Sequence, residues 1–317
     1  MIETRGQWAY EIGGVNLEIM DYADQGDREY TPGIFNVLNS DSGTVGQKNF
    51  VGKTGFSSLT ITEEGASYAD VERSSTYLTQ MSYTKYTGVV EMTDELVADN
   101  DYQAQLDAMK DLTKSANYDV DKSGIQLFNG GFATTVKVNG FNMSWYGDGV
   151  PQFSTVHPTL SAFGSTQSNA SATGIKFGHD NLFTAKIALM KQTTDNGKAT
   201  MASGKIMIVA PIELDKKIQE ELESTLDPET ANNAINVFRG SMDVAESLHL
   251  SSTTAWFLLR QGDHKLFHDT REVTTLEQDR TVKSGTSTYT VSARWAESSR
   301  GYENSWGSKG DLAAYAS

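Results

Sequence analysis

A polar segment with β-strand character that runs directly into a long helical segment is the feature that most constrains the fold of this chain. Over residues 56–64 the side chains alternate, with Leu59 and Ile61 on one face and threonines on the other, which predicts a half-exposed strand. A turn over residues 63–66 precedes a returning stretch, residues 71–90, that is rich in Thr, Tyr and Val. Because an isolated hairpin is only marginally stable in water, such a ribbon needs another structural element packed against it. The pattern indicates a subunit that completes its structure on its neighbours.

The second half of this segment has the spacing of an amphipathic helix. Residues 93–95 offer an N-cap and acidic side chains for a first turn. Apolar and small side chains then recur at intervals of three and four, at Tyr102, Leu106, Met109, Thr113 and Ala116. We predict a helix from Thr93 to about Ser123, roughly 45 Å long at 1.5 Å per residue. Residues 100–101, Asn-Asp, mark the point where it would bend or break.

The remainder of the chain predicts short helices and strands without a tandem repeat. In the first half we expect an extended arm over residues 1–50 with a short helical piece after Pro32, a hairpin around Asn139 and Gly140, and a loop over 147–174. A helix over 181–191 and a buried strand over 205–210 should follow. The next helix opens at Pro211 and has the apolar stripe Leu214, Ile218 and Leu222, and most of 241–317 should form strands. Segregated helices and strands with no linker between them indicate the α+β class.

The composition excludes several classes of function. The chain has 41 acidic and 26 basic residues, a net charge of −15, and no basic cluster, whereas a fold that grips nucleic acid needs a basic face. It has no cysteine, which excludes disulfides, thiolate nucleophiles and cysteine zinc sites. The sequence contains no run of about 18 apolar residues, which is the length needed to span a bilayer. Residues 1–8 lack the layout of a signal peptide, so we expect a product that stays in the cytoplasm where it is made.

Two short motifs match ligand-binding loops only in part. Gly52, Lys53 and Thr54 resemble the end of a phosphate loop, but Gln47 stands where that motif needs glycine. Residues 119–124 begin like a calcium loop, whose twelfth position should be glutamate; that position is Gly130. The second motif is better explained as a polar helix end closed by Gly124.

The histidines do not form a recognisable active site in the sequence. His264 and His268 are four apart, which on a helix could hold a metal, but residues 265–267 have strand character, where this spacing separates side chains by roughly 13 Å. His157 lies near Ser154 without the Gly-x-Ser-x-Gly motif of a hydrolase. We therefore predict no catalytic residue, no metal ligand and no cofactor site.

The order of the segments resembles the major capsid proteins of tailed phages with the Hong Kong 97-type fold, and most closely the Mu-like major head subunits. The similarity covers roughly residues 50–310. Besides the ribbon and helix, it rests on these stretches: Phe153-Ser-Thr-Val-His-Pro158, Ile206-Met-Ile-Val-Ala-Pro211, Leu214-Asp-Lys-Lys-Ile-Gln-Glu-Glu-Leu222, Asn236-Val-Phe-Arg-Gly240, Thr254-Ala-Trp-Phe-Leu-Leu259, Tyr289-Thr-Val-Ser-Ala-Arg294 and Arg300-Gly-Tyr302.

This resemblance implies a shell protein that self-assembles through hexamers and pentamers into an icosahedral head around double-stranded DNA, located in the virion and assembled in the host cytoplasm. The implied divisions are an N-terminal arm (1–50), an extended β-hairpin E-loop (51–92), the spine helix of a peripheral domain (93–130), an axial domain (131–255) and strands that return to the peripheral domain (256–317). The expected assembly interface lies on the ribbon, at Leu59, Ile61, Glu63, Glu64, Tyr77, Met81 and Tyr83.

The chain departs from the family pattern at two points. Some members weld subunits through a lysine on the E-loop, whereas here the tip has none, and Lys53 and Lys85 lie toward its base. Some carry a scaffolding extension, which residues 1–50 do not resemble. We expect subunits held by non-covalent contacts or by a separate cementing protein, with a separate scaffold protein and a portal as further partners. Three alternatives stay open: an encapsulin-like compartment, a tail-tube or other virion protein, and a β-rich hydrolase.

Overall fold

The computed structural model describes residues 31–38, 47–53, 56, 59–68, 70–71, 75–93, 102–138, 141–144, 147–159, 166–194, 197–200, 204–227, 235–281 and 285–312. The helices in these residues are α1 (Thr31–Ile34), α2 (Tyr102–Asn129), α3 (His179–Met190) and α4 (Asp215–Glu223), with a 3₁₀ turn at Ile212–Leu214. The strands are β1 (Asn36–Leu38), β2 (Gln47–Lys53), β3 (Ser75–Ser82), β4 (Thr84–Thr93), β5 (Thr135–Val138), β6 (Phe141–Ser144), β7 (Ile206–Pro211), β8 (Met242–Ser247), β9 (Trp256–Arg260), β10 (Leu266–Thr281), β11 (Thr286–Ser299) and β12 (Ser305–Ser308).

The first of two four-stranded sheets has the order β1-β10-β11-β4. Strands β10 and β11 form a long antiparallel hairpin, and β4 runs antiparallel to β11 along most of its length. Alternate residues of β11 are buried, from Tyr289 to Trp295, and they face α2, whose Val120 packs against Ala293 and Trp295. The amphipathic helix thus covers one face of a sheet whose central strand has period-two burial.

In the second sheet, β12-β9-β7-β8, strands β7, β9 and β12 are buried on both faces, whereas the edge strand β8 is partly exposed. On one face of β7, Ile206 and Ile208 pack against α3 and α4. On the other, Met207 and Val209 pack against aromatic residues that include Phe128 and Phe153. A strand covered on both sides needs a continuous apolar sequence, which explains the run of apolar residues in β7.

The ribbon differs from the sequence prediction. Residues 59–64 are not a strand; instead β3 pairs antiparallel with β2, so that Lys53 lies opposite Ser75. The predicted turn over residues 63–66 is confirmed by a hydrogen bond from the Ala66 N–H to the Glu63 carbonyl (3.0 Å). Gly65 supplies the positive φ of 84° that this turn requires. The returning stretch is two strands that separate at Tyr83: β3 belongs to the ribbon and β4 to the first sheet.

The long helix is confirmed, with different ends. Thr93 is the last residue of β4, so the predicted N-cap there is wrong, and residues 94–101 lie outside the described part of the chain. The helix spans 28 residues, or about 42 Å, and ends at Asn129 rather than near Ser123. Residues 119–124 are helical, so they have neither the calcium-loop conformation nor the helix end that we predicted at Gly124.

The other predicted elements are mostly confirmed. Strands β5 and β6 flank Asn139 and Gly140, which themselves lie outside the described residues. Helix α3 and strand β7 lie within two residues of their predicted positions, and α1 is the short helical piece near Pro32. The helix predicted from Pro211 begins later, because Pro211 ends β7 and the 3₁₀ turn at Ile212–Leu214 precedes α4. Strands β8 to β12 account for the strands predicted over most of 241–317. Of the predicted arm, only residues 31–38 and 47–50 are described.

Candidate assembly surface

Residues 56–71, called here the exposed segment, connect β2 and β3 beyond the end of their pairing. All of its described residues are exposed, including large apolar side chains: the exposed fraction is 87% for Leu59, 97% for Ile61 and 93% for Tyr68. Its charged side chains are acidic, Glu63, Glu64 and Asp70, and it contains no lysine or arginine. Apolar side chains concentrated on a projecting segment are typical of a surface that binds another protein.

The seven residues predicted to form the assembly interface lie in two different parts of the ribbon. Leu59, Ile61, Glu63 and Glu64 lie together in the exposed segment. The other three lie toward the base of the ribbon, in β3 or just after it, at Tyr77, Met81 and Tyr83. Met81 has an exposed fraction of 1%, so its side chain packs inside its own subunit.

The base of the ribbon is fixed to the first sheet by a buried carboxylate. Asp269 of β10 accepts hydrogen bonds from the Lys48 ammonium (2.7 Å) and from the Tyr83 hydroxyl (2.5 Å). Partial burial lowers the pKa of Lys48, but its hydrogen bonds with Asp269 and Tyr83, together with their charges, outweigh this effect and raise that pKa above its usual value. Lys48 is thus held as a cation against a carboxylate that is inaccessible to water.

Arg300 adds a second attachment. Its guanidinium lies 3.4 Å from the centroid of the Phe50 ring on β2 and 4.2 Å from that of the Phe267 ring on β10. Burial lowers the pKa of Arg300, and contact with two aromatic faces partly replaces the lost hydration. Lys48, Tyr83, Asp269 and Arg300, called here the anchor, therefore hold the ribbon while its tip stays uncovered.

A second polar network joins the long helix to the first sheet. The Trp295 indole N–H donates to Ser123 Oγ on α2 (2.8 Å), and Ser123 Oγ lies 2.7 Å from Glu297 Oε1. His268 Nδ1 lies 3.3 Å from the same carboxylate oxygen, and its Nε2 lies 3.0 Å from Thr270 Oγ1. Both ring nitrogens of His268 are therefore used in structural hydrogen bonds.

His157 also belongs to the internal structure. His157 is buried, with Nδ1 2.7 Å from Asp148 Oδ2 and Nε2 3.0 Å from Asn169 Oδ1, and its ring stacks on Tyr302. Ser154 Oγ accepts a hydrogen bond from the Val156 N–H. The contacts of His157 fix the loop that follows β6, and they do not form a serine–histidine pair. Among the residues that the structure describes, no three His, Cys, Asp or Glu side chains could together hold a metal ion.

His264 should make the stability of the subunit depend on pH. Burial, assisted by the charge of Lys265, lowers the pKa of His264 from 6.5 to about 4, so the folded state holds it neutral while the unfolded chain protonates near pH 6.5. The contribution of His264 to the free energy of unfolding should therefore be constant above pH 6.5 and fall between pH 6.5 and 4, by about 3 kcal/mol in total. Urea unfolding at a series of pH values measures this fall.

The matched variants are His264→Gln and His249→Gln. Gln at position 264 removes the titrating group and should remove the part of the fall that is due to His264, whatever its effect on absolute stability. His249 is partly exposed, and its replacement should keep the wild-type slope. Equal slopes for the wild type and His264→Gln would contradict the assignment.

The chain is similar to known phage capsid proteins. The phage capsid protein family matches residues 79–297 of the chain, and no curated protein matches it. None of the helices in the described residues is long and apolar enough to cross a membrane.

Three solved structures share the fold at low identity. The capsid of Ralstonia phage GP4 aligns with a TM-score of 0.55 and 9% identity, over 89% of this chain and 87% of that one. The cyanophage Pam1 capsid asymmetric unit gives 0.54 and 10%, over 89% and 91%. A structure from Mycobacterium phage Patience gives 0.52 and 11%, over 99% and 90%. These likenesses establish a shared mixed α+β fold. Because the family match covers more than half of the chain, the chain belongs to the phage capsid protein family and is a structural protein, a major capsid protein that forms the shell.

Proposed function

We propose that the protein is the principal subunit of an icosahedral phage head of the Hong Kong 97 type, in the Mu-like branch, which encloses double-stranded DNA. The observation that supports this best is the exposed segment: Leu59, Ile61 and Tyr68 are almost fully exposed, while the base of the same ribbon is fixed by the anchor. Burial of large apolar side chains lowers the free energy by about 1.5–3 kcal/mol each. A neighbouring subunit supplies that burial.

In this proposal the elements have the following roles. The ribbon of β2 and β3 with the exposed segment is the E-loop; β4, placed in the E-loop by the sequence boundaries 51–92, pairs with β11 and belongs to the peripheral sheet. Helix α2 is the spine helix. The second sheet with α3 and α4 forms the axial domain. Strands β9 and β12, which follow residue 255, complete that second sheet, so the C-terminal region contributes to both domains.

The proposed intersubunit contact uses the tip of the ribbon. Leu59 and Ile61 supply its apolar area, and Glu63 and Glu64 face basic groups on the next subunit. Tyr77 and Tyr83 stiffen the base, and the burial of Met81 removes it from the interface. The absence of lysine from residues 56–71 supports a shell held by non-covalent contacts.

The proposed partners follow from the same features. Hexamers and pentamers of this chain form the wall, and a separate scaffold protein, a portal and a cementing protein complete the head in the host cytoplasm. With a net charge of −15, the wall confines DNA without gripping it.

Electron microscopy of the purified protein tests this function. We expect closed polyhedral particles, and boiled particles should run on a denaturing gel as a single 34.7 kDa band without a ladder. Tubes would indicate a tail protein, and a ladder would contradict non-covalent assembly. A monomer with metal-dependent turnover would overturn the shell reading. DNA in particles from infected cells supports a head, whereas an enzyme cargo would indicate an encapsulin-like compartment.

A further inference from the structure

A groove of about 360 Å³ lies between α4 and the edge strand β8. Its apolar lining comes from Ile218 and Leu222 on α4 and from Val244 on β8. Residues two apart on a strand share a face, and Val244 and Glu246 accordingly both line the groove. Its charged lining consists of Asp215, Glu223 and Glu246. The groove thus combines an apolar floor with three carboxyl groups.

These carboxyl groups lack a basic partner in the described part of the subunit. The ion pairs found on α4 and β8 join Lys216 to Glu220, Lys205 to Asp243 and His179 to Glu221, none of which lines the groove. Burial, followed by the hydrogen bond with Asp215 and its charge, raises the pKa of Glu246 to about 7. Two carboxyl groups in hydrogen-bond contact repel each other when both ionise, so a cation placed beside them would stabilise the ionised pair.

A complementary surface lies on the turn of residues 235–239, which follows α4 in the chain. Ile235 and Val237 have exposed fractions of 81% and 63%, and Arg239 is also exposed. Arg239 makes no hydrogen bond or ion pair with any residue that the structure describes. The turn therefore presents two apolar side chains and one arginine, the counterpart of the groove's apolar floor and carboxyl groups.

The alternate residues of this turn fix its conformation. Asn236 donates from Nδ2 to the Ser224 carbonyl (3.1 Å) and accepts at Oδ1 from the Phe238 N–H (2.8 Å). Phe238 is fully buried, and the Gly240 N–H donates to the Leu222 carbonyl (3.0 Å). A pre-ordered turn loses little conformational entropy when it binds.

We propose that the turn of residues 235–239 docks into the α4–β8 groove of a neighbouring copy, with Val237 on the apolar floor and Arg239 on the carboxyl pair of Asp215 and Glu246. The turn is bonded to the C-terminal end of its own α4, whereas Asp215 lies at the other end, about 12 Å along the helix. The planar guanidinium suits a pair of carboxylates because it can donate two parallel hydrogen bonds.

The contact joins two different patches on two identical chains. Such a heterologous contact generates a ring when its rotation closes, which is the arrangement that hexamers and pentamers require. The inference therefore rests on the proposed shell function and deepens it, because it names the surfaces that meet within one ring.

A charge-swap experiment with the full-length chain tests the contact. Arg239→Glu and Glu246→Arg alone should each lower the yield of particles at a fixed protein concentration by at least about tenfold, because each places like charges together. The double variant R239E/E246R should restore the yield to within about threefold of the wild type, since the arginine introduced at position 246 then lies between the carboxyl groups of Asp215 and of the glutamate introduced at position 239. Particle yield is measured by sedimentation and checked by electron microscopy.

Two controls separate assembly from folding. Lys216→Glu changes an exposed charge on the same helix whose partner is Glu220, outside the groove, and should leave the yield unchanged. No variant should unfold as a monomer at a markedly lower urea concentration than the wild type. If the wild type forms particles but the single variants assemble normally, or the double variant is not rescued, the contact is wrong while the shell function stands. If the wild type stays monomeric, both proposals are overturned.

Discussion

Replacing residues 59–68 with a four-residue Gly-Ser linker should abolish particle formation and leave the subunit folded. The described residues of this stretch are all exposed, and the nearest paired residues, Lys53 and Ser75, lie opposite each other in the ribbon, so the shortened connection can still close. Its removal costs the subunit almost no buried surface, and we expect the free energy of unfolding to change by at most about 0.5 kcal/mol. Sedimentation measures assembly, and urea unfolding measures the fold.

A matched pair of double substitutions within the same stretch separates its apolar side chains from its length. Leu59→Ser with Ile61→Ser removes the apolar area and should lower the particle yield severely. Thr60→Ser with Thr62→Ser alters the neighbouring exposed positions and should preserve it. A linker variant that fails to fold would show that the segment belongs to the subunit core, and one that assembles normally would remove the E-loop role from this proposal.

The ribbon shows why the sequence could predict an element and miss its partner. The alternation of Leu59 and Ile61 is that of a strand, yet a strand exists only where backbone groups find a second strand. The partner of β3 is Gln47–Lys53, a stretch whose Gly52 and Lys53 resemble part of a phosphate loop. Residue type specifies which segments can extend, and tertiary contacts select which of them pair.

The strongly periodic elements were more predictable than the anchor. Strand β7 and helix α4 each contain their own signal, a continuous apolar run or a stripe at helical spacing, so their neighbours did not need to be known. Lys48 and Asp269 are 221 positions apart and Ser123 and Glu297 are 174 apart. Nothing local marks these side chains as partners, and only the folded chain brings them together. Leu59 and Ile61 could be proposed as interface residues because apolar side chains on a polar ribbon are a local signal, and both are exposed in the structure.

Trp295→Ala should destabilise the subunit by about 3–5 kcal/mol, the usual cost of a large-to-small change at a buried aromatic residue. Trp295 is buried on β11, its ring stacks on Tyr86 of β4 with centroids 3.7 Å apart, and its N–H donates to Ser123 Oγ of α2. The substitution therefore opens a cavity at the junction of two strands and the long helix. Against a typical total stability of about 5–15 kcal/mol, this loss should be visible in urea unfolding and should prevent particle formation at 37 °C.

Two further substitutions divide this cost among its causes. Trp295→Phe keeps an aromatic ring against Tyr86 but removes the N–H, and should cost about 1–3 kcal/mol because Ser123 Oγ loses its donor and the ring is smaller. Val273→Ala, at an exposed position of β10, should cost no more than about 0.5 kcal/mol. If Trp295→Ala proves as mild as Val273→Ala, then α2 is not joined to the sheet through this residue. Helix α2 would then be held against the first sheet by its other contacts, such as those of Val120 with Ala293 and of Ser123 with Glu297.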